Sequence, residues 1–158
     1  VSIKLVISNN PKAKGVNFTK KYSIPYLIVN TKVRNFENII LAYLKRYRIN
    51  IICLAGYMRI ISKKFLRSFG KNIINIHPSL LPKFKGLNTF KRIIEKKETK
   101  SGCTVHYVND KLDGGKVITQ KSFYLVPNSS ELDLKKKTQK LEYLAYPEAI
   151  VKIFRSNF

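Results

Sequence analysis

The chain has little acidic charge, few cysteines and histidines, and no tryptophan. It carries 9 Asp and Glu against 31 Lys and Arg, with 2 Cys and 2 His among 158 residues. Two cysteines do not make the disulfide framework of a small secreted domain, although a single bond between Cys53 and Cys103 stays open as an alternative. The histidines and carboxylates lack metal-ligand spacing, so we expect no metal site.

Long hydrophobic runs are also missing. No apolar stretch reaches the roughly 18–20 residues that a helix needs to cross a bilayer. Nothing near Val1 has the pattern of a signal peptide, and we therefore expect a cytoplasmic protein without a membrane partner. The length and the 44% hydrophobic content predict one domain over residues 1–158, as a monomer or homodimer.

The formal net charge of +22 has two interpretations. Neutralising phosphates requires Lys and Arg, so the charge is compatible with a basic nucleic-acid-binding module. The lysines, however, far outnumber the arginines and are scattered in pairs and triplets that are not interleaved with aromatic residues. We interpret the charge as compositional drift and expect no nucleic-acid partner, although a positive surface would attract a phosphorylated substrate.

Predicted strands alternate with predicted helices, which indicates an α/β fold. A pair of antiparallel strands near the carboxyl end predicts a mixed edge, and Pro147 is expected to break or kink the last helix. The predicted strands cover residues 3–8, 26–29, 51–55, 73–77, 102–108 and 115–123. The predicted helices cover residues 12–22, 36–47, 62–69, 89–97 and 132–146. The 51–55 strand is expected to be fully buried.

Polar residues at the end of the 73–77 strand suggest a catalytic site. Asn75 and His77 are two residues apart, so their side chains point to the same face of the strand. An amide N–H and an imidazole can converge on one developing oxyanion. Asp113, in a Gly-flanked loop, would favour the protonated imidazole and relay a proton. The simpler alternatives are a structural His before Pro78 and an ordinary turn at Asp113.

No protein nucleophile is evident from the sequence. Ser79 lacks the G-x-S-x-G turn, and neither cysteine has an obvious base partner. The pattern therefore favours transfer of an acyl group to an amine that arrives with the substrate. His106, which alternates with Thr104 and Val108 on a predicted strand, is interpreted as a structural neighbour of the site.

Three long segments stand out, and they read LAGYMRIIS at 54–62, INIHPSLLPKFKGLNT at 74–89 and GCTVHYVNDKLDGG at 102–115. All three resemble the phosphoribosylglycinamide formyltransferase family, also called glycinamide ribonucleotide transformylase. The resemblance extends from Val1 to about Pro147. It implies a Rossmann-like formyltransferase fold, with helices on both faces of a mostly parallel sheet. It also implies transfer of the formyl group of 10-formyltetrahydrofolate to the amine of glycinamide ribonucleotide, in de novo purine biosynthesis.

The resemblance also implies roles for individual residues. Asn75 would stabilise the oxyanion, His77 would act as general acid, and Asp113 would hold His77 protonated and accept the proton through water. Two segments would contact the folate, and one carboxylate would hold the ribose of the nucleotide. The folate residues are Met58, Arg59, Ile60 and Ile61 with Asn109 and Asp110, and the ribose residue is Glu142. The alternatives are that Met58, Ile60 and Ile61 are core residues and that Glu142 is a solvated helix carboxylate.

Two departures from the family pattern affect the expectations. The family's folate-contacting Arg aligns with Val33, and Arg34 follows one residue later, so its contact stays open. The family's first strand and its Gly-rich phosphate-binding loop have no counterpart, because Val1 aligns with the start of the second strand. We therefore expect a fold that is missing its first strand, and the activity of the chain as given stays open.

Two alternative functions come from different classes. Methionyl-tRNA formyltransferase shares the Asn-x-His pair, but its segment after Leu-Leu-Pro usually reads RWRGAAPI, unlike KFKGLNTF at 83–90. Its tRNA-binding domain would also need residues beyond Phe158. The second alternative is a catalytically silent remnant or a basic nucleic-acid-binding module.

Overall fold

The computed structural model describes residues 1–155, and positions 156–158 of the predicted domain lie outside the described residues. The strands are β1 (Val6–Ser8), β2 (Tyr26–Ile28), β3 (Ile51–Leu54), β4 (Asn72–His77), β5 (Lys100–Tyr107) and β6 (Val117–Tyr124). The helices are α1 (Lys14–Lys21), α2 (Phe36–Arg46), α3 (Lys63–Phe69), α4 (Thr89–Glu95) and α5 (Glu131–Arg155). Every predicted strand and helix is present, with boundaries that differ mainly by one to three residues.

The chain divides into two compact units. The first contains Val1–Asn50 and Lys63–Gly70, and the second contains Ile51–Ser62 and the described residues from Lys71 onward. In the first unit, β1 pairs in parallel with β2, α1 packs against β1, and α2 contacts α3. The expected single formyltransferase domain stays a prediction.

The second unit is a four-stranded sheet in the order β3-β4-β5-β6. β3 and β4 are parallel, whereas β4–β5 and β5–β6 are antiparallel, which confirms the predicted mixed edge. Asn75 lies between Leu54 of β3 and His106 of β5, and His77 lies opposite Thr104. This register brings polar residues of β4 and β5 to the same place on the sheet.

Helix α5 supplies most of the core of this unit. Its residues Ala145, Ala149 and Ile153 pack with Ile74, Cys103 and Val105 of the sheet. Pro147 was expected to break or kink the last helix; the break was wrong, because α5 continues to Arg155, and the kink stays a prediction. Proline removes one backbone donor, and the packing of the small residues on either side compensates for that loss.

The prediction of a fully buried 51–55 strand was also wrong. β3 is the edge strand of its sheet, so it has a neighbour on only one side, and Cys53 is exposed. Cys53 and Cys103 are both free thiols. No helix among the described residues combines the length and the apolar character that a bilayer-spanning segment requires.

Candidate active site

Strand β4 points two polar side chains away from the core. Ile74 is completely buried in the core under α5. Because side chains alternate along a strand, Ile76 points to the same face as Ile74 and Asn75 points to the other. Asn75 and His77 therefore share the face opposite α5, as the sequence predicted. His77 is buried and Asn75 is half-buried.

The ring of His77 contacts a different group through each nitrogen. Nε2 lies 2.8 Å from the backbone oxygen of Phe84, and Nδ1 lies 3.4 Å from Oδ2 of Asp113. A carbonyl oxygen can only accept, so Nε2 carries a proton and donates it to Phe84. Nδ1 is left facing the carboxylate, at a distance longer than an ordinary hydrogen bond.

His106 is a fourth member of this group. Its Nδ1 donates to the Tyr107 carbonyl at 2.8 Å, so Nε2 is left as the acceptor. That nitrogen lies 3.5 Å from the amide nitrogen of Asn75 and 3.7 Å from Oδ1 of Asp113. Burial lowers the pKa of His106, and the Tyr107 carbonyl and the Asp113 charge only partly oppose this effect. We call Asn75, His77, His106 and Asp113 the His77 cluster.

Asp113 reaches the cluster from the loop between β5 and β6. Its Oδ2 accepts a hydrogen bond of 2.8 Å from the backbone N–H of Gly86, and its side chain is 9% exposed. Asp113 has φ of 44°, in the left-handed region. Gly115 lets the loop approach β5 closely, because a Cβ atom there would overlap the Tyr107 carbonyl oxygen.

The loop after β4 holds two members of the cluster with its backbone. It gives the Phe84 oxygen to His77 and the Gly86 N–H to Asp113. Phe84 has φ of 56°, a conformation that costs a non-glycine residue about 1–2 kcal/mol. The start of this loop is fixed by Thr104, which donates to the Ser79 carbonyl at 2.6 Å and accepts from the Leu81 N–H at 3.1 Å.

A small hollow of about 120 Å³ lies beside Asp113, and Lys85, Gly114 and Val117 are among its lining residues. It has room for a formyl group and a few water molecules, whereas sites for drug-sized ligands measure about 300–1,000 Å³. A larger hollow of about 290 Å³, lined by Leu80, Phe84 and Ile93 among others, contains no residue of the His77 cluster. The chemistry therefore points to the smaller one.

Five of the six residues predicted to border a folate are exposed on the second unit. Met58 and Ile60, which follow β3, are 73% and 75% exposed, whereas Ile61 is buried. The alternative that all three are core residues therefore applies to Ile61 alone. Asn109 and Asp110 are exposed in the loop after β5, where Asn109 Oδ1 accepts from the Lys111 N–H at 2.9 Å. Arg59 lies in the same surface segment as Met58.

Glu142 lies on α5, half-buried, close enough to Cys103 of β5 to affect its thiol. Burial raises the pKa of the Cys103 thiol to about 11, and the Glu142 charge adds to the effect. Burial also raises the pKa of Glu142 itself. Glu142 is thus more enclosed than the solvated helix carboxylate of the alternative interpretation.

Sequence reasoning missed one member of the His77 cluster and the backbone groups that contact it. His106 was interpreted as structural, although an antiparallel pairing with β4 would have placed it opposite Asn75. The pattern predicted strands but not this register. The backbone groups of Phe84 and Gly86 left no signal in side-chain patterns, because any residue has an N–H and a C=O.

The chain matches known formyltransferases along nearly its whole length. A formyl transferase family model matches residues 1–150. The chain is 40% identical over 154 residues to phosphoribosylglycinamide formyltransferase of Haemophilus influenzae, covering 94% of this chain and 72% of that protein. It is 41% identical over 152 residues to the trifunctional purine biosynthetic protein adenosine-3 of Drosophila pseudoobscura pseudoobscura, covering 94% of this chain but 11% of that protein.

A solved structure shows the same fold. Phosphoribosylglycinamide formyltransferase from Anaplasma phagocytophilum superimposes with a TM-score of 0.92 at 36% identity, covering 99% of this chain and 76% of that one. The predicted resemblance and the predicted α/β formyltransferase fold are both confirmed. The chain belongs to the formyl transferase family.

Proposed function

We propose that this protein transfers a formyl group from 10-formyltetrahydrofolate to the amine of glycinamide ribonucleotide, a step of purine biosynthesis. The observation that carries the proposal is the His77–Asp113 pair, 3.4 Å apart, beside Asn75. The names of its relatives, phosphoribosylglycinamide formyltransferase and purine biosynthetic protein adenosine-3, support the same reaction.

Asn75 is the oxyanion donor in this proposal. One N–H of its amide points to the Nε2 acceptor of His106, 3.5 Å away, which sets the orientation of the amide. The second N–H is then available to the formyl oxygen as it gains negative charge. A fixed donor of this kind typically contributes about 10²–10³ in rate.

His77 is the proton carrier. The Phe84 carbonyl occupies Nε2 at 2.8 Å, so Nδ1 is the nitrogen that exchanges a proton with the reactants. Asp113, whose Oδ2 lies 3.4 Å from Nδ1, stabilises the charged ring. As the substrate amine attacks the formyl carbon, the amine loses a proton toward Asp113 through water. The protonated His77 returns a proton to the departing folate nitrogen.

The remaining predicted residues bind the substrates in this proposal. The exposed side chains of Met58 and Ile60 supply apolar surface for the folate, with Arg59, Ile61, Asn109 and Asp110 beside them. Their partly open surface suits a ligand too large for the 120 Å³ hollow at Asp113. Glu142 would accept hydrogen bonds from the ribose hydroxyls. A cytoplasmic location stays a prediction.

The proposal is tested by comparing acceptors. The full product of the reading frame is incubated with 10-formyltetrahydrofolate and either glycinamide ribonucleotide or methionyl-tRNA, and formylated product is measured. We expect formylation of the ribonucleotide alone, abolished in Asn75→Ala. Formylation of the tRNA would favour the methionyl-tRNA alternative, and equal rates in wild type and Asn75→Ala would overturn the assigned chemistry.

A further inference from the structure

The loop that holds the His77 cluster is itself in an unfavourable conformation. Phe84, Gly86 and Asn88 all have positive φ, of 56°, 79° and 55°. Only glycine adopts this region without a steric penalty, so Phe84 and Asn88 stay there because contacts of the loop outweigh that penalty. Two such contacts, the Phe84 carbonyl to His77 and the Gly86 N–H to Asp113, belong to the cluster.

A third set of contacts comes from Arg92 of α4. Its Nη1 donates to the Lys85 carbonyl at 2.6 Å and lies 3.4 Å from the Leu87 carbonyl. Its guanidinium carbon lies 5.6 Å from the centre of the Phe84 ring. The Arg92 side chain therefore contacts the loop on both sides of Gly86. The contacted residues adjoin Phe84 and Gly86, whose backbone groups hold His77 and Asp113.

We propose that Arg92 is a positioning residue for formyl transfer, although it contacts the loop and not the reacting groups. The expected effect of Arg92 on kcat rests on the proposed function, whereas its expected effect on the loop and on His77 does not. Arg92 keeps Phe84 in its unfavourable conformation and holds the backbone on both sides of Gly86, so the two ring nitrogens of His77 keep separate partners.

Arginine has a property here that lysine lacks. The planar guanidinium presents its donors in a fixed arrangement, with Nη1 donating to the Lys85 carbonyl and the central carbon 5.6 Å from the centre of the Phe84 ring. A lysine ammonium supplies a charge and a hydrogen-bond donor, but as a compact point charge it does not reproduce the fixed planar donor arrangement of the guanidinium. Arg92→Lys should consequently retain part of the effect, and Arg92→Met should lose the hydrogen bond to Lys85.

The kinetic test compares Arg92→Met and Arg92→Lys with the matched control Lys91→Met. Lys91 is the neighbouring residue on α4, and its exposed ion pair with Glu95 spans 3.9 Å. In the full product of the reading frame, we expect Arg92→Met to lower kcat about tenfold, with each KM unchanged within about twofold. Arg92→Lys should fall between, and Lys91→Met should match wild type. A loss confined to KM, or an equal loss in Lys91→Met, would overturn the proposal.

A second measurement needs no substrate. The chain has 2 histidines, so ¹⁵N-histidine labelling gives two rings, which His106→Asn assigns. We expect the protonated Nε2 resonance of His77 to shift and exchange faster with water in Arg92→Met, and to be unchanged in Lys91→Met. Unaltered His77 resonances in folded Arg92→Met would refute the positioning role. A shifted His77 without any formylation by wild type would refute the proposed function alone.

Discussion

The His77 cluster and the folate segments differ in how far they are preorganised before substrate binds. His77 is buried, the Asp113 side chain is only 9% exposed, and both contact the backbone of one loop, through Phe84 and Gly86. Met58 and Ile60 are about three-quarters exposed. The difference suggests that the groups which move protons are arranged before substrate binds, whereas the surface that recognises the folate is completed by the ligand itself.

The largest effect should come from removing the proton carrier. His77→Ala eliminates both ring contacts, and we expect kcat/KM for glycinamide ribonucleotide formylation to fall by about 10³ or more. Steady-state rates of formylated product, with Lys91→Met as the surface control, measure this loss. A decrease of less than tenfold would show that the buried cluster is not where the chemistry occurs.

A smaller loss is expected when only the charge beside His77 is removed. Asp113→Asn keeps an oxygen that can accept from the Gly86 N–H but no longer stabilises a charged ring. We expect kcat to fall about 10²-fold with little change in the melting temperature. If the melting temperature collapses instead, Asp113 is mainly a structural turn residue, as the simpler interpretation of the sequence holds.

Substitutions in the exposed folate segment should change KM for the folate and leave kcat unchanged. The double variant Met58→Ser and Ile60→Ser removes apolar surface that we expect to contribute about 1 kcal/mol to folate binding. KM for the folate should therefore rise about five- to tenfold. Unfolding in urea should change by less than about 0.5 kcal/mol, because both side chains are already in water. An unchanged KM would mean that the folate binds elsewhere.

His106 should make folding stability depend on pH. Its pKa is lowered in the folded state, so the unfolded chain takes up a proton first as the pH falls. As far as His106 is concerned, the free energy of unfolding therefore keeps its full value above about pH 6.5 and decreases below that pH. His106→Asn should show a weaker decrease between about pH 7.5 and pH 5 in urea unfolding. Parallel pH curves for the two proteins would contradict the buried, neutral state of His106.

Glu142 should have the smallest effect on stability. Its contribution should change with pH in the opposite direction to that of His106. Burial raises its pKa, so at neutral pH the folded protein carries a charge that the unfolded chain solvates better. Glu142→Gln should raise the melting temperature at about pH 7, and this advantage should disappear as the pH falls toward 4. It should also raise KM for the ribonucleotide. A lower melting temperature at neutral pH would indicate an ion pair that stabilises the carboxylate.

The sequence predicted the elements and three members of the cluster, and its failures have physical causes. Periodicity located every strand and helix, because burial on one face leaves a spacing signal. The same signal could not show that β3 is an edge strand or that α5 passes through Pro147, since both depend on neighbours in space. His106 needed the register of β5 against β4, and Phe84 contributes a carbonyl that has no signature in the sequence.

The most direct test asks whether Asn75, His77 and Asp113 act as one unit. Single-turnover formyl transfer is measured for the three single variants, Asn75→Ala, His77→Ala and Asp113→Asn, and for the variant that combines all three. Groups that serve one transition state lose their effect together, so the combined variant should be only slightly slower than the worst single one. If the three losses instead multiply, the residues act independently and the convergent site does not exist.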